Sequence, residues 1–414
     1  MINMLLRLVI SESIMCMLKL TSLQIGSPWF YRLLALLMLF LLLIPLSARF
    51  SADGKLDKKE VVQLAWFYRP PDTDEGQEEE GVDSLHQNFD TFILTRNDEE
   101  LRDKLRQRGV DAPFLQYLAF DVIIDPGSCT RQPWPNQVAD EPGDYCYISQ
   151  NHPDWFLLDE DGKRMFHDLG HGMRSVVMDP GNPGWRAFWL ERARESQETL
   201  GWDGVFLDNV EATLIKRKRR GALPAAYPTD TSYQAAIEGF LAYLYSEYFQ
   251  PEGRPLYANI IEVNEPEVWF RYLRYLDGGM IEDWAVDWYD NYLTSTLWEQ
   301  HLQRAEQTQA QGKHVILVSQ GQQNDERRQT FAYASYLLIA AEGASFRYTH
   351  SDKYDEPWLY ENYELELGEP LGPRYLEDYG TWKRDFTNGS VRVDLTSYSA
   401  TIMKSSSNVE KIVE

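Results

Sequence analysis

Several sequence features that define large enzyme classes are absent from this chain of 414 residues. No G-x-G-x-x-G segment follows an early apolar run, so a dinucleotide-binding turn has no candidate. No G-x-S-x-G elbow is present, which leaves Ser-His-Asp hydrolysis without a nucleophile site. Histidine is scarce, and the pair His167 and His171 lies in the glycine-containing stretch HDLGHG, where alignment on one helix face is not expected. The sequence therefore predicts neither a cofactor nor a catalytic metal.

Basic residues are few relative to acidic ones, 40 against 64, which gives a formal net charge of -24. A chain with this charge repels the phosphate backbone, so nucleic acid is excluded as a partner. A solvated acidic surface explains the charge without any further function.

Long apolar runs are also rare, and residues 33–48 form the one strong example. A run of this length suits either the core of a signal peptide or a short membrane helix. We expect residues 1–50 to be a leader that contacts the membrane and residues 51–60 to be a linker. The rest of the chain is then expected outside the cytoplasm, either membrane-anchored or secreted.

The three cysteines agree with an exported protein. Cys16 lies in the leader, so Cys129 and Cys146 are the one possible pair in the exported part. An oxidising compartment favours a disulfide between them, and two unrelated free thiols are the alternative.

Short apolar runs alternate with helical patterns along the chain, and several of the helical patterns end at glycine. This alternation predicts an α/β fold, a (β/α)8 TIM barrel, with a doubly wound open sheet as the second choice. The eight candidate strands cover residues 61–68, 91–96, 115–123, 204–208, 255–260, 278–283, 314–320 and 345–350. We assign the barrel to residues 61–362 and expect it to be a monomer.

Two additions to the barrel are predicted. The connection between the third and fourth strands is about 80 residues long, far beyond an ordinary loop, and is read as an insert with a hairpin at 155–166 and an extra strand at 174–179. The dipeptide Asn388-Gly389 between alternating segments predicts a tight hairpin. Residues 363–414 are therefore interpreted as a small C-terminal β appendage and tail.

Polar side chains stand at the ends of nearly all the candidate strands. In a (β/α)8 barrel the carboxyl ends of the strands meet at one mouth, which carries the active site. Aromatic side chains near these ends are candidate platforms for stacking against sugars, Trp284 first and Trp288 after it. The predicted substrate-binding residues are Tyr68, Arg96, Asp121, Asn259, Trp284, Gln320, Arg347 and Tyr348.

Two carboxylates form the sharpest feature. Asp208 follows the apolar run of the fourth strand, and Glu282 follows that of the sixth. With one strand between them, their backbones are about 9–10 Å apart, and inward side chains shorten that gap. Hydrolysis of a glycosidic bond uses two carboxyl groups at about 5–10 Å, one as proton donor and one as nucleophile or base. This spacing does not separate a retaining from an inverting mechanism.

A basic run, KRKRR at residues 216–220, follows Asp208 closely. The loop after the fourth strand belongs to the reactive face, so the run is expected to flank the cleft and attract an anionic polysaccharide. A solvated loop without a ligand is the alternative.

Four parts of the chain carry a family resemblance. They are GWDGVFLDNV, MDPGNPGWR, GGMIEDW and a closing part that contains LGEPLGPRY and WKRDFTNGSVRVDLT. These parts resemble glycoside hydrolase-like family 15 of bacteria. That family is similar to the endo-α-1,4-polygalactosaminidase barrels of glycoside hydrolase family 114. The resemblance covers about residues 60 to 400. It implies a (β/α)8 barrel in which Asp208 is the nucleophile and Glu282 is the acid/base residue.

Together these features predict an O-glycosyl hydrolase that acts on an extracellular or cell-wall polysaccharide. Two other classes of protein remain open on the sequence. One is a non-catalytic carbohydrate-binding barrel, and the other is a structural protein of the cell envelope. A separation of the Asp208 and Glu282 carboxyl groups beyond about 11 Å would favour these over the enzyme.

Overall fold

The computed structural model of the protein describes residues 62–70, 75–289 and 291–405. The predicted leader at 1–50, the linker at 51–60 and the last nine residues of the tail lie outside these ranges. Within them, no helix has the length and apolar character needed to cross a bilayer.

Eight parallel strands form one sheet whose spatial order follows the chain. They are β1 Ala65–Phe67, β2 Thr91–Leu94, β3 Phe114–Ala119, β4 Gly204–Glu211, β5 Leu256–Ile261, β6 Gly278–Ile281, β7 His314–Gln320 and β8 Ala344–Thr349. The last strand returns to the first through a parallel bridge between Leu64 and Phe346, with the Phe346 amide donating to the Gln63 carbonyl at 2.9 Å. The predicted (β/α)8 barrel is confirmed.

Helices follow or precede the strands around the outside of the barrel. They are α1 Glu75–Asn88, α2 Glu99–Gln107, α3 Asp144–Asn151, α4 Pro183–Leu200, α5 Ile215–Arg219, α6 Asp230–Leu244, α7 Pro266–Leu273, α8 Ser295–Ala310 and α9 Glu326–Leu337. A π-helical turn, Tyr245–Phe249, and a short turn, Gln250–Glu252, extend α6. Helix α4 shows the local signals well, because Asn182 caps the Gly184 and Trp185 amides and Gly201 ends the helix at a φ of 76°.

Side chains alternate between two separate cores, as period-2 strands require. The barrel interior holds one small cluster that includes Phe67, Leu115, Phe206, Met280 and Val318. The outward faces of the strands pack with the helices in the larger core. Position 278 in the barrel interior requires glycine, because a Cβ on Gly278 would lie 2.6 Å from the Tyr257 ring.

The long connection between β3 and β4 folds as an insert on the barrel. A three-stranded antiparallel sheet, of Val122–Asp125, Met173–Val177 and Phe166–Gly170, forms its body. The predicted strand at 115–123 was wrong in one respect, because the chain leaves the barrel after Ala119 and Val122 pairs with Val177 of the insert. The structure joins Cys129 to Cys146 of α3 by a disulfide with 5.7 Å between the Cα atoms.

Four antiparallel strands form the C-terminal appendage: Tyr375–Asp378, Thr381–Phe386, Gly389–Asp394 and Ser399–Lys404. A tight turn connects the second and third strands as predicted, but Phe386 pairs with Gly389, so the turn residues are Thr387 and Asn388. The glycine is required for a different reason, since a Cβ on Gly389 would meet the Met403 carbonyl oxygen at 2.2 Å. Arg384 fixes the appendage to the barrel by donating to the Leu337 and Ala340 carbonyls.

Candidate active site

The inward-facing residues of four consecutive strands change from apolar to polar at the mouth of the barrel. In β4, for example, Phe206 belongs to the interior cluster and the next inward position is Asp208. The same step of two leads from Met280 to Glu282. The four polar side chains that meet at the mouth are Asp208, Asn259, Glu282 and Gln320. Strand periodicity therefore places both predicted carboxylates in one cleft.

A bulge in β4 adds a fifth polar group. The pairing of β4 with β5 shifts between Leu207 and Val210, and Asn209 takes a left-handed φ of 63°. This conformation is unfavourable for a residue with a Cβ and is tolerated best by asparagine and aspartate. As a result, consecutive residues face the same site, and the Asn209 amide donates to Asp208 Oδ2 at 2.7 Å.

One amide nitrogen bridges the two carboxylates. Asn259 Nδ2 donates to Asp208 Oδ1 at 3.1 Å and to Glu282 Oε2 at 2.7 Å. Because both distances start from one nitrogen, these oxygens are at most about 5.8 Å apart, the sum of the two. Two N–H bonds at about 120° place them about 5 Å apart. Asn259 Oδ1 is buried and accepts no hydrogen bond from the described residues.

Tyrosines cover the Asp208 side of the pair. The Tyr117 hydroxyl donates a short hydrogen bond to Asp208 Oδ2. Tyr68, which directly follows β1 and has a φ of 69°, packs its ring 5.5 Å from that of Tyr117. Burial, followed by the charge of Asp208, raises the pKa of both phenols, so both remain protonated donors.

A relay of two hydrogen bonds holds Glu282. The Tyr354 hydroxyl donates to Glu282 Oε1 at 2.7 Å, and Gln320 Nε2 donates to the Tyr354 oxygen at 2.8 Å. Gln320 Oε1 is buried without a partner among the residues that the structure describes. Tyr354 lies in the loop after β8, so the last strand of the barrel contributes to the site as well as the middle strands.

The two carboxylates differ in their readiness to bind a proton. Burial, and then the negative charge of Asp208, raises the pKa of Glu282 to about 7. Burial also raises the pKa of Asp208, but the Tyr117 hydrogen bond and the charge of Lys216 oppose that rise. Glu282 therefore holds a proton up to near neutral pH, whereas two groups beside Asp208 favour its ionised form. Two carboxyl groups with different proton affinities at this spacing are the arrangement that hydrolysis of a glycosidic bond uses.

Two of the predicted binding residues serve other partners. Arg96 forms ion pairs with Asp140 and Glu141 of the insert. Asp121 is buried and accepts hydrogen bonds from Arg217 and Lys216. These contacts within the protein give no indication that Arg96 or Asp121 binds a substrate. The charge of Asp121 does raise the pKa of Asp208.

The predictions for Trp284, Arg347 and Tyr348 need correction. Trp284 is fully buried and donates its indole N–H to the Ala332 carbonyl of α9, so it offers no face for stacking. Tyr348 is likewise buried, because it faces the outer core. Arg347 stacks 4.9 Å from the Trp66 ring and donates to the carbonyls of the Tyr354 loop. Trp288, in the segment after β6, is exposed at 45%, as is its neighbour Tyr289, at 80%.

The basic run at 216–220 divides into two parts. Lys216 and Arg217 turn inward and pair with Asp121 and Glu211, and Arg217 is 1% exposed. Residues 218–220 are exposed. The expectation that all five residues attract a substrate is wrong, because two of them neutralise buried carboxylates.

Sequence reasoning missed two tyrosines of the site. Tyr117 lies inside β3 and not at its end, yet strict alternation from Leu115 would have placed it on the inner face. Tyr354 lies in an irregular loop eight residues after Phe346 of β8, and no local pattern marks it.

Comparison with known proteins identifies the family of this chain. The sequence profile of the family described as hypothetical glycosyl hydrolase family 15 matches residues 131–390. No curated protein is similar enough to count as a match.

Among solved structures, the glycoside hydrolase domain of PelA from Pseudomonas aeruginosa is 17% identical, with 72% of this chain and 97% of that chain covered and a TM-score of 0.47. The maltogenic α-amylase AmyB from Thermotoga neapolitana is 11% identical, with 80% and 84% covered and a TM-score of 0.46. The α-galactosidase TtGalA from Thermus thermophilus is 15% identical, with 82% and 67% covered and a TM-score of 0.41.

Proposed function

The chain belongs to hypothetical glycosyl hydrolase family 15, and we propose that it hydrolyses a polysaccharide with retention of configuration at the anomeric carbon. The observation that carries the mechanism is the amide of Asn259, which holds oxygens of Asp208 and Glu282 within about 5.8 Å. Retaining enzymes place their carboxyl groups about 5–5.5 Å apart, whereas inverting enzymes leave about 6.5–9.5 Å for a water.

In the first step Glu282 acts as the general acid. Its proton passes to the glycosidic oxygen while the bond between that oxygen and the anomeric carbon breaks. The Asp208 carboxylate attacks the same carbon and forms a glycosyl ester. A pKa of about 7 leaves Glu282 protonated in a large share of molecules at neutral pH.

In the second step Glu282 acts as the base. Its carboxylate takes a proton from water, the hydroxide oxygen bonds to the anomeric carbon, and the ester bond to Asp208 breaks. Glu282 ends protonated and Asp208 ends as a carboxylate, ready for another cycle. The Asn259 amide contacts both groups throughout, and its unpaired Oδ1 is available to a substrate hydroxyl.

We further propose that the substrate is an extracellular or cell-wall polysaccharide and that the barrel works outside the cytoplasm. The apolar run at 33–48 supports export, and so does the disulfide between Cys129 and Cys146. A non-catalytic binding barrel has less support, because binding alone does not require a protonated and an ionised carboxyl group at this spacing.

The test separates the two carboxylates by their roles. The wild type is first screened against polysaccharides and dinitrophenyl glycosides to find a cleaved pair of substrates. Glu282→Gln should lose polysaccharide cleavage by several orders of magnitude but keep formation of the glycosyl ester from the dinitrophenyl glycoside, whose leaving group needs no proton. Asp208→Asn should lose both activities.

Azide provides the complementary measurement. In Glu282→Ala, azide should attack the glycosyl ester and give a glycosyl azide of retained configuration. In Asp208→Ala, azide should replace the nucleophile and give the inverted product. Asp168→Asn is the matched control, because Asp168 is an exposed residue of the insert strand Phe166–Gly170 whose carboxylate accepts from the Gly170 amide. Full activity of Asp208→Asn or Glu282→Gln would refute the proposal.

A further inference from the structure

We infer that Lys216 is a positioning residue for Asp208, which it orients through the side chain of Asn209; this rests on the proposed role of Asp208 as nucleophile. Lys216 never reaches Asp208 directly in the hydrogen-bond network. Its contact runs through the residue that the bulge in β4 turns toward the site.

The geometry fixes which way the Asn209 amide faces. Lys216 Nζ donates to Asn209 Oδ1 at 2.8 Å, and Asn209 Nδ2 donates to Asp208 Oδ2 at 2.7 Å. An amide rotated by 180° would place two donors together at Lys216 and two acceptors together at Asp208. The ammonium group therefore selects the one orientation in which Asn209 supports the carboxylate.

The same ammonium group completes a buried cluster of charges. Lys216 Nζ lies 3.4 Å from Asp121 Oδ2 and 3.2 Å from Glu211 Oε1. Arg217 contacts the same two carboxylates. The Glu211 side chain is 0% exposed, and that of Asp121 is 2% exposed, so these charges need local neutralisation.

The protonation of Asp208 depends on the charged and titratable groups that face it. Tyr117 of β3 and Tyr68 of β1 are protonated phenols, and Glu282 follows β6. Asp121 raises the pKa of Asp208, whereas Lys216 lowers it. With Lys216 removed, Arg217 alone would face the charges of Asp121 and Glu211, and the loss of one positive charge would favour protonation of the nucleophile.

The experiment compares Lys216→Met with Lys216→Arg, Asn209→Leu and the double variant Asn209→Leu/Lys216→Met. The readouts are kcat and the acidic limb of the pH profile of kcat/KM, on a substrate that the wild type cleaves. Lys313→Met is the matched control, because Lys313 is a half-buried lysine that pairs with an aspartate, Asp277, before β7 at the opposite end of the barrel.

We expect Lys216→Met to lower kcat about a hundredfold, as for a displaced reacting group, and to move the acidic limb to higher pH. Lys216→Arg should restore much of both, since the charge is kept. The double variant should be no slower than the slower single variant, because both changes break one chain of contacts. Lys313→Met should leave the profile in place.

An unmoved acidic limb in Lys216→Met, or additive losses in the double variant, would overturn the inference. If Lys216→Met does not fold, Asn209→Leu decides, since a full kcat in that variant gives the same negative answer. Failure of the proposed function looks different. In that case Asp208→Asn itself retains activity, whatever Lys216 does.

Discussion

Replacing Tyr354 with phenylalanine should move the alkaline limb of activity upward. The Tyr354 hydroxyl donates to Glu282 Oε1 at 2.7 Å and lowers the pKa of that carboxyl, against burial and the charge of Asp208, which raise it to about 7. The ring lies in the barrel interior, 5.1 Å from the Phe67 ring, and phenylalanine keeps that packing. The change therefore removes the hydrogen bond to Glu282, and with it the one that Gln320 donates to the Tyr354 oxygen, while the ring packing stays.

The magnitude follows from the two protonation states of Glu282. A hydrogen bond to a carboxylate contributes about 1.5–3 kcal/mol, and one to a neutral acid about 0.5–1.5 kcal/mol. The difference is about 1–1.5 kcal/mol in favour of the ionised form, which corresponds to about one pKa unit. Because catalysis needs the protonated acid, the alkaline limb of kcat/KM should move up by about one pH unit.

The assay is the pH profile of kcat/KM on a substrate with a poor leaving group. A dinitrophenyl glycoside serves as the internal control, since formation of its glycosyl ester needs no acid and the limb should be weak or absent. A downward shift of the limb in Tyr354→Phe would refute the reasoning. So would an unmoved limb with normal folding.

Three further outcomes are expected. Replacing both Cys129 and Cys146 with serine should lower the free energy of unfolding by roughly 3 kcal/mol, measured in urea, with kcat unchanged, and an unchanged midpoint would contradict this. Glu282→Gln should match the wild type in stability at pH 4 but exceed it at pH 8, by no more than ~3 kcal/mol, because the wild-type carboxyl loses stability as pH rises from its ordinary pKa of 4.5 through its folded pKa of about 7. Trp284→Ala should lower the free energy of unfolding by about 3–5 kcal/mol. Trp284→Phe should leave KM unaltered, and a raised KM in that variant would show that the indole contacts the substrate.

The sequence predicted those parts of the site that depend on strand periodicity and on the end of a strand. Asp208 and Glu282 follow apolar runs directly, so their meeting at the mouth required only the barrel topology. The sequence could not predict the distance between the two carboxyl groups, because that distance depends on the Asn259 amide between them.

Predictions failed where a strand-end residue faces outward or meets a stronger local partner. Tyr348 lies in β8 on the helix-facing side, where one residue of register decides which face a side chain takes, and Trp284 lies beyond the end of β6, where strand alternation no longer applies. Lys216 and Arg217 looked like surface charge, because one of the carboxylates that pair with them, Asp121, comes from a distant position in the chain. Long-range pairing of this kind leaves no local pattern.

The anomeric configuration of the first-formed product tests the central claim most directly. Proton NMR, recorded on a substrate that the wild type cleaves and before mutarotation, reads that configuration at the new reducing end. The separation of Asp208 and Glu282 predicts the same configuration as in the substrate bond. A product of opposite configuration would contradict the account, because the attacking group would then be water and Asp208 would not be the nucleophile.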